Sequence, residues 1–228
     1  MLIFLDLETT GLEAEDKICS IGLVAVNTEV VSKYELVDEG KKIPPKASSI
    51  NHITNEMIYL KPKLVDTEIF QFLNDNNNEK TTIVGHNVNF DIRKLKEVGF
   101  HFKGSVIDTL RVSKHLIKEC ESYALQFLRY ELKLYTKEVG EVIPHHALSD
   151  AIVVKSLYEY LLDSANEEEM KELSFKNVLL EKFSFGKYSG RYIEEISMID
   201  RGYLEWMLSQ MVDLDDDLRY SIDYYLQG

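Results

Sequence analysis

The sequence predicts an α/β fold with a central five-stranded mixed sheet flanked by helices, followed by a small C-terminal module. Two observations predict the main fold: β-rich segments open the chain, and strand-like and helical segments alternate after them. A third observation is the charged stretch SANEEEMKE, which follows a long helical pattern and predicts a boundary at about 163–174. We therefore expect a main domain at 1–163, and a linker with a small module at 164–228.

The predicted strands are short apolar or β-branched runs separated by turn signals. They lie at 2–5, 18–26, 30–37, 81–85 and 106–109. Only three residues separate the second run from the third, a length that favours a hairpin. After the third run, Pro44 and Pro45 interrupt the pattern.

Helical spacing accounts for most of the remaining chain. In the main domain it predicts helices at 54–60, 64–74, 88–98, 109–118, 122–132 and 147–162. In the C-terminal part it predicts helices at 201–211 and 214–226, too little sequence for a large core. For that part we expect a small core of four aromatic side chains, Phe183, Phe185, Tyr203 and Trp206.

The composition limits the classes of protein to which the chain can belong. Of its 228 residues, 45% are apolar and 29% are charged, a balance typical of folded domains and not of disordered or fibrous chains. No window approaches the roughly 18 uninterrupted apolar residues of a membrane span, so we expect a soluble, cytoplasmic protein without membrane contact. The net charge of −13 predicts long-range repulsion of nucleic acid, so a polyanionic substrate must be attracted locally.

Two carboxylates stand close together at the end of the first apolar run. Asp6 and Glu8 are separated by one residue, and the period of two in a strand places both side chains on the same face of the sheet. Adjacent carboxylates repel unless a cation joins them, and such hard oxygen ligands suit Mg²⁺ or Mn²⁺. A solvated turn is the common explanation for a bare D-x-E pair. The longer pattern DLETTG makes chance agreement rare, so it favours a divalent-metal site.

Three motifs resemble those of a known family. LDLETTG at 5–11, GHNVNFD at 85–91 and HHALSDA at 145–151 resemble, in order and spacing, the motifs of the DEDDh 3′ to 5′ exonucleases. That family includes the proofreading subunit of bacterial replicative polymerase. The resemblance extends to INHIT at 50–54 and covers nearly the whole chain.

The resemblance implies a ribonuclease H-like fold that brings four metal-binding carboxylates together, Asp6, Glu8, Asp91 and Asp150. Two Mg²⁺ or Mn²⁺ ions per site are implied with them, because phosphodiester hydrolysis must stabilise both an attacking and a leaving oxygen. His145 and His146 both precede Asp150, and the family pattern H-x-A-x-x-D selects His145 as the general base. The implied catalytic residues are the four carboxylates and His145.

The resemblance also implies residues that bind the substrate. The backbone around Thr9, Thr10 and Leu12 would seat the 3′-terminal nucleotide. The loop with His52 would close over that nucleotide, or it would serve a structural role. Both segments are therefore candidates for the substrate-binding wall of the site.

Asn87 and Phe90, in the second motif, each allow two interpretations. Asn87 would contact ribose or phosphate, or it would cap the helix that carries Asp91. Phe90 would stack on a base, or it would pack beneath that helix, and packing is the preferred interpretation.

The C-terminal motifs resemble members of the same family that are of the exodeoxyribonuclease X type. They are FSFGKYSGR at 183–191 and GYLEWM at 202–207. Lys187 and Arg191, with the tyrosines that follow them, predict a small basic and aromatic patch that contacts a nucleic-acid strand.

Together these features predict a metal-dependent 3′ to 5′ exodeoxyribonuclease that releases nucleoside 5′-monophosphates. The expected substrate is the 3′ end of single-stranded DNA, in DNA repair or DNA replication. An exoribonuclease on the same scaffold is an alternative, because four carboxylates alone do not distinguish deoxyribose from ribose. A further alternative is a subunit that acts only with a partner, such as a DNA polymerase or repair proteins.

Overall fold

The strand nearest the N-terminus lies in the middle of a five-stranded sheet. In the computed structural model, which describes residues 1–138 and 142–227, the strands are β1 Leu2–Thr9, β2 Ile18–Val26, β3 Val30–Leu36, β4 Thr82–Gly85 and β5 Ser105–Asp108. Their order is β3-β2-β1-β4-β5. The β1–β2 and β2–β3 pairs are antiparallel, whereas β4 is parallel to β1 and to β5. The predicted mixed sheet of five strands is confirmed.

Helices complete two compact units, Met1–Ser174 and Phe175–Gly228. The first unit contains α1 Pro45–Asn51, α2 Asn55–Ile58, α3 Glu68–Asp75, α4 Val88–Glu97, α5 Thr109–Leu116, α6 Leu125–Glu131, α7 Ala147–Leu161 and α8 Glu167–Leu173. The second contains α9 Ile193–Ile199, α10 Arg201–Gln210 and α11 Asp216–Gln227. Within the described residues, no helix has the length and apolar character needed to span a membrane. The cytoplasmic location stays a prediction.

Side chains alternate between the two faces of β1. Leu5 and Leu7 join one buried cluster, whereas Phe4 joins a second cluster to which α7 contributes several apolar residues. By the same period of two, Asp6 and Glu8 share the face of Phe4. The two carboxylates therefore lie on the face of the sheet that α7 covers.

Two segments differ from their predicted structure. Pro44 and Pro45 begin a helix that the sequence did not indicate, with Pro45 as the first residue of α1. Proline costs no hydrogen bond at that position, because the first amides of a helix have no partner within it. The helix predicted at 64–74 is broken at Thr67, whose side-chain oxygen accepts a hydrogen bond from the amide of Phe70 (3.2 Å) at the start of α3.

The charged stretch expected to be a helix end or linker contains α8. A capping box between Asn166 and Glu169 satisfies backbone amides at the start of this helix. Met170 is fully buried in the same cluster as Phe4. The first unit therefore ends at Ser174, at the far end of the predicted boundary region.

The second unit has a buried cluster of its own. Phe183 is 2% exposed and belongs to that cluster, and Tyr203 packs against it while partly buried. Phe185 and Trp206 are 44% and 50% exposed. The prediction that all four aromatic residues form the core is therefore wrong for Phe185 and Trp206, because α9, α10 and α11 fill the core with aliphatic side chains.

Candidate active site

The carboxyl end of β1 projects beyond the neighbouring strand β4. The pairing with β4 covers only the first half of β1, and the amide of Leu7 lies beyond it. Asp91, in the first turn of α4, accepts a hydrogen bond from this amide through Oδ1 (3.1 Å). Asp91 is thereby held beside Asp6 and Glu8, at the sheet edge where α/β folds place their sites.

The fourth carboxylate, Asp150, lies in the first turn of α7. The N-terminus of a helix favours negative charge, so this is a suitable position for a carboxylate. Its Oδ2 accepts a hydrogen bond from the backbone amide of His145 (2.9 Å), and its Oδ1 accepts one from the side-chain amide of Gln126 in α6. Gln126 was not predicted as a site residue, because no motif includes it.

Each carboxylate opposes the ionisation of its neighbours. Burial, and then the charges of Asp91, Asp150 and Glu8, raise the pKa of Asp6 well above its ordinary value. Burial, and then the charges of Asp150 and Asp91, raise the pKa of Glu8 to about 8. A cluster of this kind is electrostatically unfavourable without a cation.

Burial also raises the pKa values of the two helix-borne carboxylates, Asp91 and Asp150. Burial raises the pKa of Asp91, although the hydrogen bond from Leu7 opposes the shift. Burial raises the pKa of Asp150 to about 6, although the charge of His145 and the hydrogen bond from Gln126 oppose it. These hydrogen bonds favour the charged form of each carboxylate, which is the form that binds metal.

The donor set fits a divalent cation. Carboxylate oxygens are the ligands that Mg²⁺ and Mn²⁺ prefer, and a bound cation would supply the positive charge that the cluster lacks. Among the described residues, Glu8, His145 and Asp150 each bring one potential ligand atom to within 4.8 Å of the others. The arrangement therefore supports a metal site at the carboxyl end of β1.

The metal-free protein is expected to lose stability as the pH rises through the range in which Glu8 ionises. The pKa of Glu8 is about 8 in the folded chain and 4.5 in ordinary surroundings, so the folded chain binds more protons between these values. The free energy of unfolding therefore falls between about pH 5 and about pH 8. Thermal unfolding in chelator measures this fall, and Mg²⁺ or Mn²⁺ should restore more stability at the higher pH.

Two variants separate the contribution of Glu8 to this fall in stability from the contributions of other ionising groups. Glu8→Gln should show a smaller fall than the wild type, because the side chain no longer ionises. Glu79→Gln, which changes an exposed residue, should behave like the wild type. An equal fall in Glu8→Gln and wild type would assign the pH dependence to other groups.

The two histidines before α7 have different surroundings. His145 is exposed, has a left-handed backbone (φ 58°), and brings a ring nitrogen close to Glu8 and Asp150. The ring of His146 instead stacks on Tyr34, with the centroids 4.2 Å apart. Its Nδ1 is buried and has no hydrogen-bond partner within the described part of the chain. Of the two histidines, His145 is thus the one placed to exchange protons at the carboxylates.

Comparison with known proteins supplies the family. A family model described as Exonuclease matches residues 3–158, which include the four carboxylates and both histidines. The chain belongs to the exonuclease family. A second model, described as Exodeoxyribonuclease X-like C-terminal, matches residues 183–211. The resemblance to the DEDDh exonucleases is confirmed.

The exonuclease has relatives that match different shares of its length. It is 26% identical to Exodeoxyribonuclease 10 of Escherichia coli (strain K12) over 232 residues, with 100% of each chain covered. It is 33% identical over 182 residues to the PolC-type DNA polymerase III of Thermotoga maritima, covering 75% of this chain and 12% of the relative. DNA polymerase III subunit epsilon of Treponema pallidum is 29% identical over 164 residues, covering 69% of this chain and 74% of the relative.

Solved structures share the fold of the exonuclease. Exonuclease X in complex with 5′ overhanging duplex DNA has a TM-score of 0.63 and 26% identity, covering 76% of this chain and 99% of that chain. Exonuclease I has a TM-score of 0.58 and 16% identity, covering 75% of this chain and 42% of that chain. The predicted ribonuclease H-like exonuclease fold is confirmed.

The loop after β1 in the exonuclease is held by its own hydrogen bonds. Thr9 Oγ1 donates to the carbonyl of Gly11 (2.6 Å), and Thr10 Oγ1 donates to Asp16 Oδ1 (2.9 Å). Both threonines are buried and their hydroxyls are engaged in these hydrogen bonds, so contact of Thr9, Thr10 or Leu12 with a nucleotide stays a prediction. Leu12, at the tip of the loop, is 78% exposed.

Lys94, which sequence reasoning missed, supports the same loop from below. It is 1% exposed, and its Nζ donates to the carbonyl oxygens of Glu13, Ala14 and Asp16 (2.9, 3.1 and 2.8 Å). Lys94 lies three residues after Asp91, on the buried side of α4. One helix therefore supports both a carboxylate of the site and the loop beside it. The sequence signal for a buried Lys94 was its position in the helical pattern, where an apolar residue is expected.

The loop with His52 is tied to the end of β1 by its neighbour Asn51. The side-chain amide of Asn51 donates to the carbonyl of Thr9 (3.3 Å), and its Oδ1 accepts a hydrogen bond from the amide of Ile53 (3.0 Å). His52 itself is exposed, with a left-handed backbone (φ 59°). Asn51 serves the structural role, and contact of His52 with a nucleotide stays a prediction.

Asn87 and Phe90 flank the start of α4. Asn87 is exposed and has a left-handed backbone (φ 64°), a conformation that asparagine tolerates. Asn87 occupies the N-cap position of α4, but its side chain makes no capping hydrogen bond. Phe90 is partly buried, with the guanidinium of Arg93 5.5 Å from its ring. Substrate contact by either residue stays a prediction.

The predicted basic patch lies in the second unit, and both of its cations have acidic partners. Lys187 Nζ lies 2.9 Å from Asp200 Oδ2, and Arg191 pairs with Glu195. Lys187 also lies over the ring of Tyr188, 4.6 Å from its centroid. A contact with nucleic acid would have to compete with these ion pairs, and it stays a prediction.

Proposed function

We propose that this exonuclease hydrolyses DNA from the 3′ end and releases nucleoside 5′-monophosphates. The observation that carries the proposal is the convergence of four carboxylates from β1, α4 and α7 at one sheet edge, Asp6, Glu8, Asp91 and Asp150. The relative that covers the whole chain is named an exodeoxyribonuclease, and the Exonuclease X structure contains DNA. Both names favour DNA over RNA as the substrate.

The four carboxylates would hold the divalent ions. Asp6, Glu8, Asp91 and Asp150 would together hold two such ions. When bound, Mg²⁺ or Mn²⁺ would stabilise the charge on the attacking and leaving oxygens of the phosphodiester. The local field would then attract phosphate, which reconciles the net charge of −13 with a polyanionic substrate.

His145 would act as the general base that removes a proton from the attacking water. Its exposure leaves the ring accessible, and its backbone amide is fixed by Asp150 Oδ2 (2.9 Å). The neighbouring carboxylates Glu8 and Asp150 would stabilise the imidazolium that forms. The role of His145 is therefore to hold the proton while the phosphodiester bond breaks.

The test uses matched 5′-labelled DNA and RNA oligonucleotides with the purified chain. In Mg²⁺ or Mn²⁺ we expect the DNA to shorten in single steps from the 3′ end, and excess chelator should stop the reaction. The products should be nucleoside 5′-monophosphates. Faster shortening of RNA than of DNA would replace the proposal with the exoribonuclease alternative.

His145→Gln and His146→Gln form a matched pair for the general base. His145→Gln should slow DNA shortening about 10²-fold to 10⁴-fold, the usual contribution of a general acid or base. His146→Gln should retain most of the activity, because its ring packs on Tyr34. Loss of hydrolysis in His146→Gln alone would contradict the assigned role.

Association with a DNA polymerase or with repair proteins belongs to the same proposal. Two of the relatives described above are DNA polymerase III proteins, one of PolC type and one an epsilon subunit. If the purified chain shortens neither DNA nor RNA in Mg²⁺ or Mn²⁺, an affinity purification for a polymerase partner becomes the decisive experiment.

A further inference from the structure

The carboxylate of Asp150 is held at both oxygens. Its Oδ2 accepts the backbone amide of His145 (2.9 Å), and its Oδ1 accepts the side-chain amide of Gln126. Gln126 is partly buried in α6, a helix that contributes none of the four carboxylates. With both oxygens engaged, the carboxylate of Asp150 cannot rotate without breaking a hydrogen bond.

Gln126 is itself held by a buried ion pair. Arg129, one turn further along α6, donates through Nη1 to Gln126 Oε1 (3.2 Å). The other donors of Arg129 form a two-point contact with Glu138, from Nε to Oε1 (2.8 Å) and from Nη2 to Oε2 (2.6 Å). The side chains of Arg129 and Glu138 are only 8% and 5% exposed. A planar guanidinium with two fixed contacts offers its third donor in a fixed direction.

This arrangement determines which way the amide of Gln126 faces. Its oxygen meets the guanidinium of Arg129, so its nitrogen must meet the carboxylate of Asp150. Turning the amide over would place an oxygen against a carboxylate and an NH₂ group against a cation. Both contacts would become repulsive, so the ion pair selects the orientation that supports Asp150.

Arg129 also joins segments on either side of residues 139–141. It pairs with Glu138 on one side, and its Nη2 donates to the carbonyl of Val142 (3.4 Å) on the other. The chain then continues to His145 and α7. The same guanidinium thus supports the orientation of Gln126 and the approach to the segment that carries His145 and Asp150.

We infer that Gln126, oriented by the Arg129–Glu138 ion pair, is a positioning residue that holds the Asp150 carboxylate in its metal-binding orientation. The inference rests on the proposed function, because it concerns the metal ligands of the same site. Groups that hydrogen-bond to metal ligands fix the direction of their lone pairs, and their loss costs roughly 10-fold to 100-fold in metal affinity or activity.

The test is Mn²⁺ binding by the full chain, measured by titration of free Mn²⁺ without nucleic acid. Gln126→Met keeps the size of the side chain and removes the hydrogen bond, and it should weaken Mn²⁺ binding about 10-fold to 100-fold. Gln71→Met, an exposed glutamine of α3, is the matched control and should bind like the wild type. Thermal unfolding in chelator confirms that both variants are folded.

A second variant tests the role of the ion pair. Arg129→Lys keeps the positive charge near Glu138 but loses the planar fork that orients Gln126. It should weaken Mn²⁺ binding, and in the double variant with Gln126→Met the two effects should not add, because both act through one hydrogen bond. If Arg129→Lys lowers the unfolding temperature but leaves the Mn²⁺ affinity unchanged, the ion pair has only a structural role and does not orient Gln126.

The outcomes are distinct from those of the proposed function. Wild-type Mn²⁺ affinity in folded Gln126→Met overturns the inference, whatever the activity on DNA. Weaker Mn²⁺ binding in Gln126→Met, with no hydrolysis of DNA by the wild type, supports the inference and contradicts hydrolysis by the chain acting without a partner. No Mn²⁺ binding by the wild type overturns the inference, whereas the proposed function is decided separately by hydrolysis of DNA in Mg²⁺ or Mn²⁺.

Discussion

Asp6→Asn is expected to abolish DNA hydrolysis while making the metal-free protein more stable. Asp6 lies in the central strand. Burial is the largest cause of its raised pKa, and the charges of the three other carboxylates raise it further. The neutral amide removes a charge that the metal site needs, so we expect the hydrolysis rate to fall at least about 10³-fold, or roughly 4 kcal/mol of transition-state stabilisation. The same change removes repulsion from the metal-free site, so the unfolding temperature in chelator should rise.

The opposite signs of the two effects make the experiment informative. Asp66→Asn, an exposed aspartate of the first unit, is the control and should change neither quantity. Oligonucleotide hydrolysis in Mg²⁺ and thermal unfolding in chelator at about pH 8 are the two measurements. A variant that hydrolyses DNA at the wild-type rate would remove Asp6 from the site. A lower unfolding temperature in chelator would show that the Asp6 carboxylate is stabilised by contacts other than metal.

Gly22→Ala is expected to disturb the site without changing any of its residues. Gly22 pairs with Asp6 across β1 and β2, and a Cβ built on it would lie 2.1 Å from the backbone nitrogen of Leu148 and 2.3 Å from the backbone carbon of Ala147. These atoms belong to the first turn of α7, so the helix that carries Asp150 would have to move away. A displacement near 1 Å in a catalytic group costs on the order of 10² in rate, and overpacking costs about 1–3 kcal/mol of stability.

Gly202→Ala provides the matched control for this substitution. Gly202 lies in α10, and among the described residues no atom outside the backbone of that helix lies within 4 Å of a Cβ built at this position. Gly202 is the second residue of α10, where alanine gains less than the roughly 1 kcal/mol of a helix interior, so this variant should be active and about as stable as the wild type. Wild-type activity in Gly22→Ala would mean that α7 has room to adjust over the sheet. Equal losses in both variants would exclude the contact with α7 as their cause.

The parts of the site that depend on local pattern could be predicted from the sequence. The period of two in a strand places Asp6 and Glu8 on one face, and the structure places them there. The strand is longer than predicted, because its polar second half is still paired with β2 up to Thr9. The convergence of Asp91 and Asp150 on the pair followed from the motif resemblance, since no local pattern connects distant segments.

The supports of the site could not be predicted, because they depend on contacts between elements. Gln126 reaches Asp150 from another helix. The helical pattern marks Lys94 as a lysine at an apolar position, but it does not identify the backbone carbonyls to which this lysine donates. Gly22 is required by the close approach of α7 to β2, which appears only when the two are packed. The helix α1 was missed for a different reason, because Pro45 was taken as an interruption and is in fact its first residue.

The central position of β1 has a consequence for the order of events during synthesis. The strand is made before its partners on α4 and α7, and the hydrogen bond from Leu7 goes to Asp91, 84 residues later. At roughly 5–20 residues per second, the growing chain waits on the order of ten seconds before that partner exists, and longer before α7 covers the strand. Such distant pairings also fold slowly once the chain is complete. A nascent chain that ends before α7 lacks Asp150, so under the proposed function it is expected not to degrade nucleic acid until α7 has been made.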